Sequence, residues 1–201
     1  LMVAHLSFMD PEITNLVPVL RSYWLTLHVS VITGSYGFLG LGAILGLVVL
    51  VMMLFVQPDN RERISAVIDE LTVINYRTLT LGLYFLTIGT FLGAVWANES
   101  WGRYWGWDPK ETWSLVTIIV YTLVTHSRMI PGMKDTYTFN LLSLFAFSSV
   151  LMTYFGVNYY LSGLHSYAGG DPVPVPAFVY VSVVVLAGLA VAAGIKYRRA
   201  G

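Results

Sequence analysis

The sequence has no cysteine and little charge. None of its 201 residues is Cys, and 11% are Asp, Glu, Lys or Arg. The absence of Cys excludes disulfides, thiolate metal ligands and thiol redox chemistry carried by this chain, so any thiol in its chemistry belongs to a partner. The 11 basic and 11 acidic residues give a formal net charge of zero, which gives no reason to expect nucleic acid binding.

Hydrophobic residues make up 56% of the chain, against roughly 45–50% in an ordinary soluble domain. We predict an all-α, polytopic membrane helix bundle that forms a single membrane domain, residues 1–201. At roughly 20 apolar residues per span, five transmembrane helices fit, at about residues 23–55, 71–95, 109–129, 137–155 and 177–195. Residues 57–70 are interpreted as a polar connector. The first residues show no basic segment followed by an apolar core, so we expect no cleavable signal peptide.

The third predicted helix has a clear start signal. Asp108 can cap it, Pro109 suits its first position, and Glu111 stands three residues after the cap, as in a capping box. We therefore interpret Asp108 and Glu111 as structural residues rather than catalytic ones.

Basic residues indicate the orientation in the membrane. Arg21, Arg103 and Lys110 fall on one side of the predicted bundle, and the other eight Lys and Arg residues fall on or near the opposite side. The positive-inside rule places the first side outside. We expect a multi-pass protein of the bacterial inner (plasma) membrane. Because the number of predicted helices is odd, its C-terminus is expected to be cytoplasmic.

Five of the six tryptophans lie in residues 96–113, here called the tryptophan segment. They are Trp96, Trp101, Trp105, Trp107 and Trp113. An aromatic belt at the membrane interface explains one or two such rings, but the opposite interface carries no tryptophan. Flat rings beside Arg103 and Lys110 suit a planar ligand with anionic groups, such as haem, whose propionates would face the basic side chains.

Histidines supply candidate iron ligands. His28 lies near the external start of the first predicted helix, and His165 lies in the external loop after the fourth. Ligation by both would fill the two axial positions of a haem iron. His126 lies about 25 Å from the tryptophan segment along the third helix, where it is either a functional residue or a polar residue at the cytoplasmic edge beside Arg128.

Residues 101–113 read Trp-Gly-Arg-Tyr-Trp-Gly-Trp-Asp-Pro-Lys-Glu-Thr-Trp, which resembles the WWD signature of haem-handling proteins. The flanking sequence is similar to the CcsA (ResC) component of the System II cytochrome c synthase. Residues 23–30, 163–167 and 124–128 resemble the segments around that family's two external histidines and its membrane histidine. The chain thus looks like the C-terminal membrane portion of a CcsA or of a fused CcsBA polypeptide.

The resemblance implies that haem b is bound beside the WWD segment, which includes Asp108. It further implies that His28 and His165 ligate the iron and that His126 belongs to an inner haem site. In the family this inner site pairs its histidine with another from an earlier helix. Here that second ligand would come from an upstream part of a longer chain or from the CcsB partner.

The function that we expect is delivery and external presentation of haem for covalent attachment to apocytochrome c. The partners would be an apocytochrome with a Cys-x-x-Cys-His motif, a CcsB (ResB)-type subunit or domain, a thioredoxin-like thiol reductant and membrane lipid. Within a holocytochrome c synthase, this chain would position haem rather than perform acid–base chemistry. Three alternatives stay open: a bis-histidine, cytochrome b-like electron carrier, a haem exporter without synthase activity, and a transporter of another aromatic solute.

Overall fold

The structure is a computed structural model that describes residues 22–164 and 174–200. Within these residues the chain is helical and contains no β-strand, which confirms the all-α prediction. A 3₁₀ turn, Ser127–Met129, extends α3, and a π-helical turn, Met152–Gly156, joins α4 to α5. The helices are α1 (Tyr23–Leu54), α2 (Arg61–Trp101), α3 (Pro109–His126), α4 (Thr136–Leu151), α5 (Val157–Tyr160) and α6 (Ala177–Ala200).

Four stretches of helix are long and apolar enough to cross a membrane: Tyr23–Leu54, Arg61–Trp101, Thr136–Tyr160 and Ala177–Arg199. The polytopic helix bundle is therefore confirmed. Helix α3, with 18 residues, is not among the four, because Lys110, Glu111 and His126 at its two ends dilute its apolar stretch. It nevertheless lies inside the bundle, since Tyr121 and Val124 belong to the same buried cluster as residues of α1, α2 and α4.

Helix α2 is longer at both ends than the second predicted span. It begins at Arg61, so the prediction of a polar connector is wrong for residues 61–70. This stretch contains no Gly or Pro, and it buries Ile68 against the core while its charged residues face outward, so it continues as an amphipathic helix. At the other end α2 runs on through Trp96 to Trp101, which makes the first third of the tryptophan segment helical.

The centre of the bundle is held by polar contacts between α2 and α4. Asn75 donates from Nδ2 to Asn140 Oδ1 at 3.1 Å and to Ser143 Oγ at 3.0 Å, and Asn140 donates to Thr72 Oγ1 at 2.8 Å. Helix α1 packs closely against this network at Gly46. A Cβ at that position would lie only 2.7 Å from the Asn140 carbonyl oxygen. The absence of a side chain at Gly46 and the amide contacts together hold α1 against α2 and α4. This packing also fixes the positions of the residues in the first turns of α1.

Candidate functional site

His28 lies on α1 and faces α2 at the end of the bundle that holds the tryptophan segment. Its Nδ1 is 2.7 Å from the Gly89 carbonyl oxygen. Because a carbonyl only accepts, Nδ1 carries a proton and donates this hydrogen bond. The ring needs the space beside Gly93, where a Cβ would lie 2.6 Å from His28 Cε1. The orientation of His28 is therefore set by two glycine positions of α2.

Trp96 forms the wall behind His28. The two rings are nearly parallel, with an interplanar angle of 6° and centroids 6.4 Å apart. Trp96 is 1% exposed and meets Trp101 edge to face at 4.8 Å. Trp96 is therefore a buried residue of the bundle, although it belongs to the tryptophan segment. Trp96 belongs to the core because α2 continues past it and turns its ring towards α1.

The turn between α2 and α3 displays Trp107. Gly102 follows the last residue of α2 and caps the helix. Its backbone is left-handed, with φ of 70°. Trp107 also has a positive φ, 56°, and is the one non-glycine residue in the described ranges that does. Its ring is 69% exposed and stands at 89° to that of Trp105, with centroids 5.7 Å apart. The rings thus form a corner rather than a single flat surface.

Residues at the start of α3 hold this turn in place through hydrogen bonds. Glu111 accepts hydrogen bonds through Oε2 from the backbone N–H groups of Gly106, at 2.8 Å, and Asp108, at 3.2 Å. These two amides flank Trp107, so one carboxylate fixes the backbone on both sides of a strained residue. Asp108 in turn accepts from the Lys110 N–H at 3.1 Å. The predicted capping box is confirmed.

Asp108 also makes a contact that the sequence did not indicate. Its Oδ1 accepts a hydrogen bond from the Leu164 backbone N–H at 2.6 Å, and the side chain is 7% exposed. This bond ties the loop after α5 to the tryptophan segment, at the residue immediately before His165. His165 itself lies outside the described residues.

A cavity of about 80 Å³ opens between α1, α2 and the start of α3. His28, Tyr104, Trp105, Lys110 and Glu111 are among its lining residues. The structure therefore brings one predicted iron ligand, one predicted tryptophan and one predicted basic residue to the same opening.

The two predicted basic residues have different surroundings. Lys110 is half-buried and donates from Nζ to Asn158 Oδ1 at 2.7 Å. Arg103 is exposed, and its guanidinium lies over Gly106, where a Cβ would be 2.6 Å from Cζ. Lys110 is thus set in the wall of the cavity, whereas Arg103 lies on the adjacent turn and is not one of the lining residues.

Trp113 is half-buried on the second turn of α3. Its carbonyl oxygen accepts from the hydroxyls of Thr117, at 2.8 Å, and Thr153, at 3.2 Å. Thr153 lies in the π-helical turn between α4 and α5. The contacts of Trp113 therefore link the tryptophan segment to that turn. A π-helical turn is rare in proteins and is often found at functional sites.

His126 lies at the other end of the bundle, as the last residue of α3. It is exposed, and its Nδ1 donates to the Thr122 carbonyl oxygen at 2.8 Å. His28 and His126 therefore do not meet. Among the described residues, no group of three or more His, Cys, Asp or Glu side chains could hold a metal ion.

These helices and this site define a polytopic membrane protein with a histidine and tryptophan site at one end of its bundle. Comparison with known proteins shows which class this is. Residues 1–165 match the family model described as cytochrome C assembly protein, and the chain belongs to this family.

Relatives agree with the family match. The chain is 60% identical over 172 residues to protein NrfI of Wolinella succinogenes, a stretch that covers 85% of this chain and 19% of NrfI. It is 39% identical to cytochrome c biogenesis protein CcsA of Chlamydomonas reinhardtii, over 83% of this chain and 48% of the relative. The CcsA of Prochlorococcus marinus is 36% identical, over 83% and 62%. The chain thus spans from about a fifth to just under two thirds of these relatives.

Proposed function

We propose that this chain binds haem b at the tryptophan segment and presents it for covalent attachment to an apocytochrome c. The observation that carries the proposal is the position of His28. Its Nδ1 donates to the Gly89 carbonyl oxygen, the kind of hydrogen bond that commonly orients an imidazole that ligates a metal, and its ring lines a cavity beside Trp105 and Lys110. In this proposal haem is the group that is transferred, and the chain supplies the residues that bind it.

The size of the cavity indicates how haem would lie. Its volume of about 80 Å³ is far below the roughly 300–1,000 Å³ of pockets that enclose a ligand. The macrocycle would therefore rest across the mouth, against the exposed rings of Trp107 and Tyr104, with Trp101 and Trp113 in the supporting layer. Such a position leaves one edge of the haem accessible, which attachment to a second protein requires.

His165 is our second proposed axial ligand. The support is indirect: the hydrogen bond from Leu164 to Asp108 anchors the preceding residue beside the tryptophan segment. Arg103 and Lys110 are the proposed partners of the propionates, since Lys110 lines the cavity and the Arg103 guanidinium lies over Gly106, next to the lining residue Trp105. Asp108 acts by holding the turn and the loop together.

The bond-forming groups would come from the partner. Two thiols of a Cys-x-x-Cys-His motif add across the two haem vinyl groups, and the motif histidine replaces one axial ligand. This chain has no cysteine, and the carboxylates of Asp108 and Glu111 already accept backbone hydrogen bonds. Its contribution is positioning. A CcsB-type subunit, a thioredoxin-like reductant and membrane lipid complete the proposed setting, with the site on the external face of a bacterial inner membrane.

His126 is proposed as a ligand of an inner site for haem on its way to the outside. Its exposure at the far end of α3 fits a ligand shared with another helix or subunit. The hydrogen bond to Thr122 leaves the Nε2 lone pair for iron.

The test is co-production of the chain with its CcsB-type partner and an apocytochrome c. Covalent haem on the denatured cytochrome and the Soret band of the purified membrane protein are the two measurements. We expect His28→Gln to weaken the Soret band, and Trp107→Ala to reduce covalent product. The matched control is Tyr84→Ala, a similarly exposed aromatic residue on α2, remote from the site.

The outcomes separate the alternatives. Absence of a Soret band under haem-replete conditions would favour a transporter of another solute. A haem that stays bound when His28 is replaced would refute the ligand assignment. Bound haem without covalent product, in the presence of all partners, would favour an exporter or an electron carrier.

A further inference from the structure

A second cavity lies at the end of the bundle opposite to the tryptophan segment. Its volume is about 350 Å³, and it opens where α1 and α6 end and where α2 and α4 begin. The lining combines an apolar floor with a charged rim: Met53, Val56 and Ile68 in the floor, and Arg61, Asp69 and Arg198 at the rim. It has no residue in common with the cavity beside His28.

The rim has a net positive charge. It carries two guanidinium groups and one carboxylate. Within the part of the chain that the structure describes, no salt bridge engages Arg61 or Arg198, and both side chains are exposed. Arginine recognises the oxygens of phosphate groups through paired hydrogen bonds. The two guanidinium groups are therefore available to an anion from outside this chain.

The N-terminus of α2 adds to this charge. Its N-cap residue, Asn60, makes no side-chain capping hydrogen bond. Instead, Asn60 Oδ1 accepts from the Gln57 N–H at 2.8 Å, and Nδ2 donates to the Phe55 carbonyl oxygen at 3.2 Å. The N-terminus of this 41-residue helix thus has no capping side chain, and the positive end of the helix dipole lies beside Arg61 and the exposed first-turn carboxylate of Glu62, which offsets part of it.

We propose that this cavity binds the phosphate group of an anionic glycerophospholipid. The apolar floor lies among helices that are long and apolar enough to cross a membrane, whereas the guanidinium groups lie at their ends. A headgroup phosphate at the rim and the first acyl carbons on Met53 and Val56 would match this division. Basic pockets between transmembrane helices are a known form of lipid site. The proposal does not depend on haem binding at the other end.

The test is the amount of phosphatidylglycerol, relative to phosphatidylcholine, that the purified full chain retains from mixed vesicles, measured by native mass spectrometry. Each arginine near such a headgroup contributes a factor of roughly five, so Arg61→Gln and Arg198→Gln should each reduce the retention constant by about that factor. Arg63→Gln and Arg199→Gln are matched controls, because these exposed residues do not line the cavity. Asp69→Asn should increase retention, since it removes the one carboxylate of the rim.

Equal retention of the two lipids, or equal losses in the lining and control variants, would overturn the proposal. Displacement of phosphatidylglycerol by millimolar inorganic phosphate, with no preference left for the lipid, would also overturn it and assign the site to free phosphate. The opposite signs expected for Asp69→Asn and Arg61→Gln guard against a trivial effect of misfolding, because misfolding would not raise the preference for phosphatidylglycerol over phosphatidylcholine. Monodisperse elution of every variant is the accompanying check.

Discussion

Replacement of Trp107 by glycine or by alanine distinguishes two properties of this residue, which are the strain of its backbone and the proposed contact of its exposed ring with haem. An L-residue in the left-handed region costs roughly 1–2 kcal/mol, and Trp107 lies there with φ of 56°. Glycine avoids this cost but loses about 0.5–1 kcal/mol relative to alanine through the freedom of its unfolded chain. Trp107→Gly is therefore expected to be more stable than Trp107→Ala by up to about 1.5 kcal/mol.

The comparison of the two variants isolates the strain. Both remove the same ring, so the edge-to-face contact with Trp105 is lost in both, and a side chain that is 69% exposed leaves little cavity behind. For a chain of this size, 1 kcal/mol corresponds to about 2–4 °C in the unfolding midpoint. Thermal unfolding of both variants in the same detergent measures this difference. Covalent haem on a co-produced cytochrome should fall equally in both.

Two results would refute the reasoning. A midpoint for Trp107→Gly at or below that of Trp107→Ala would mean that the turn stores no strain. Full cytochrome maturation in either variant would mean that the exposed ring does not display haem. Trp96→Ala is the contrasting case, because this ring is 1% exposed and its loss should cost about 3–5 kcal/mol, lowering stability and haem binding together.

Five further variants test the contacts described above. Gly46→Ala should cost about 1–3 kcal/mol through overpacking, while Gly34→Ala, where a Cβ meets nothing within 4 Å, should be neutral or stabilising in the same thermal assay. Glu111→Ala should cost about 3–6 kcal/mol, since two hydrogen bonds to a charged acceptor are lost, and should lower covalent haem yield. Glu111→Gln, which keeps an acceptor oxygen, should do less in both measurements. Gly93→Ala should push the His28 ring aside, changing the Soret band while the protein stays folded, and an unchanged spectrum would contradict the ligand assignment.

The sequence predicted the features that arise from local chemistry. The capping box at Asp108 joins residues three positions apart, so it could be recognised without knowledge of the fold. The all-helical class followed from long apolar stretches. The start of α2 was missed because charged residues between 61 and 70 were interpreted as a loop, although Ile64 and Ile68 are spaced to bury one face of a helix.

The arrangement of the site could not be predicted, because it depends on contacts between distant residues. The stack of His28 on Trp96 requires α1 and α2 to lie close together in one register. The hydrogen bond from Leu164 to Asp108 joins residues 56 positions apart, so it requires the loop after α5 to lie beside the start of α3. Composition showed that tryptophans were concentrated in one segment, but only packing determines which rings are buried and which are displayed.

The packing of the interior constrains any route that joins the two ends of the bundle. Between His28 and His126 the core is filled by large side chains with no exposure, among them Leu39, Leu86 and Tyr121. Haem is too large to pass through such an interior without separating the helices. If both histidines handle the same haem, as we propose, it moves along the outside of the bundle. The exposed position of His126 at the end of α3 agrees with that route, which lipid or a partner subunit would then cover.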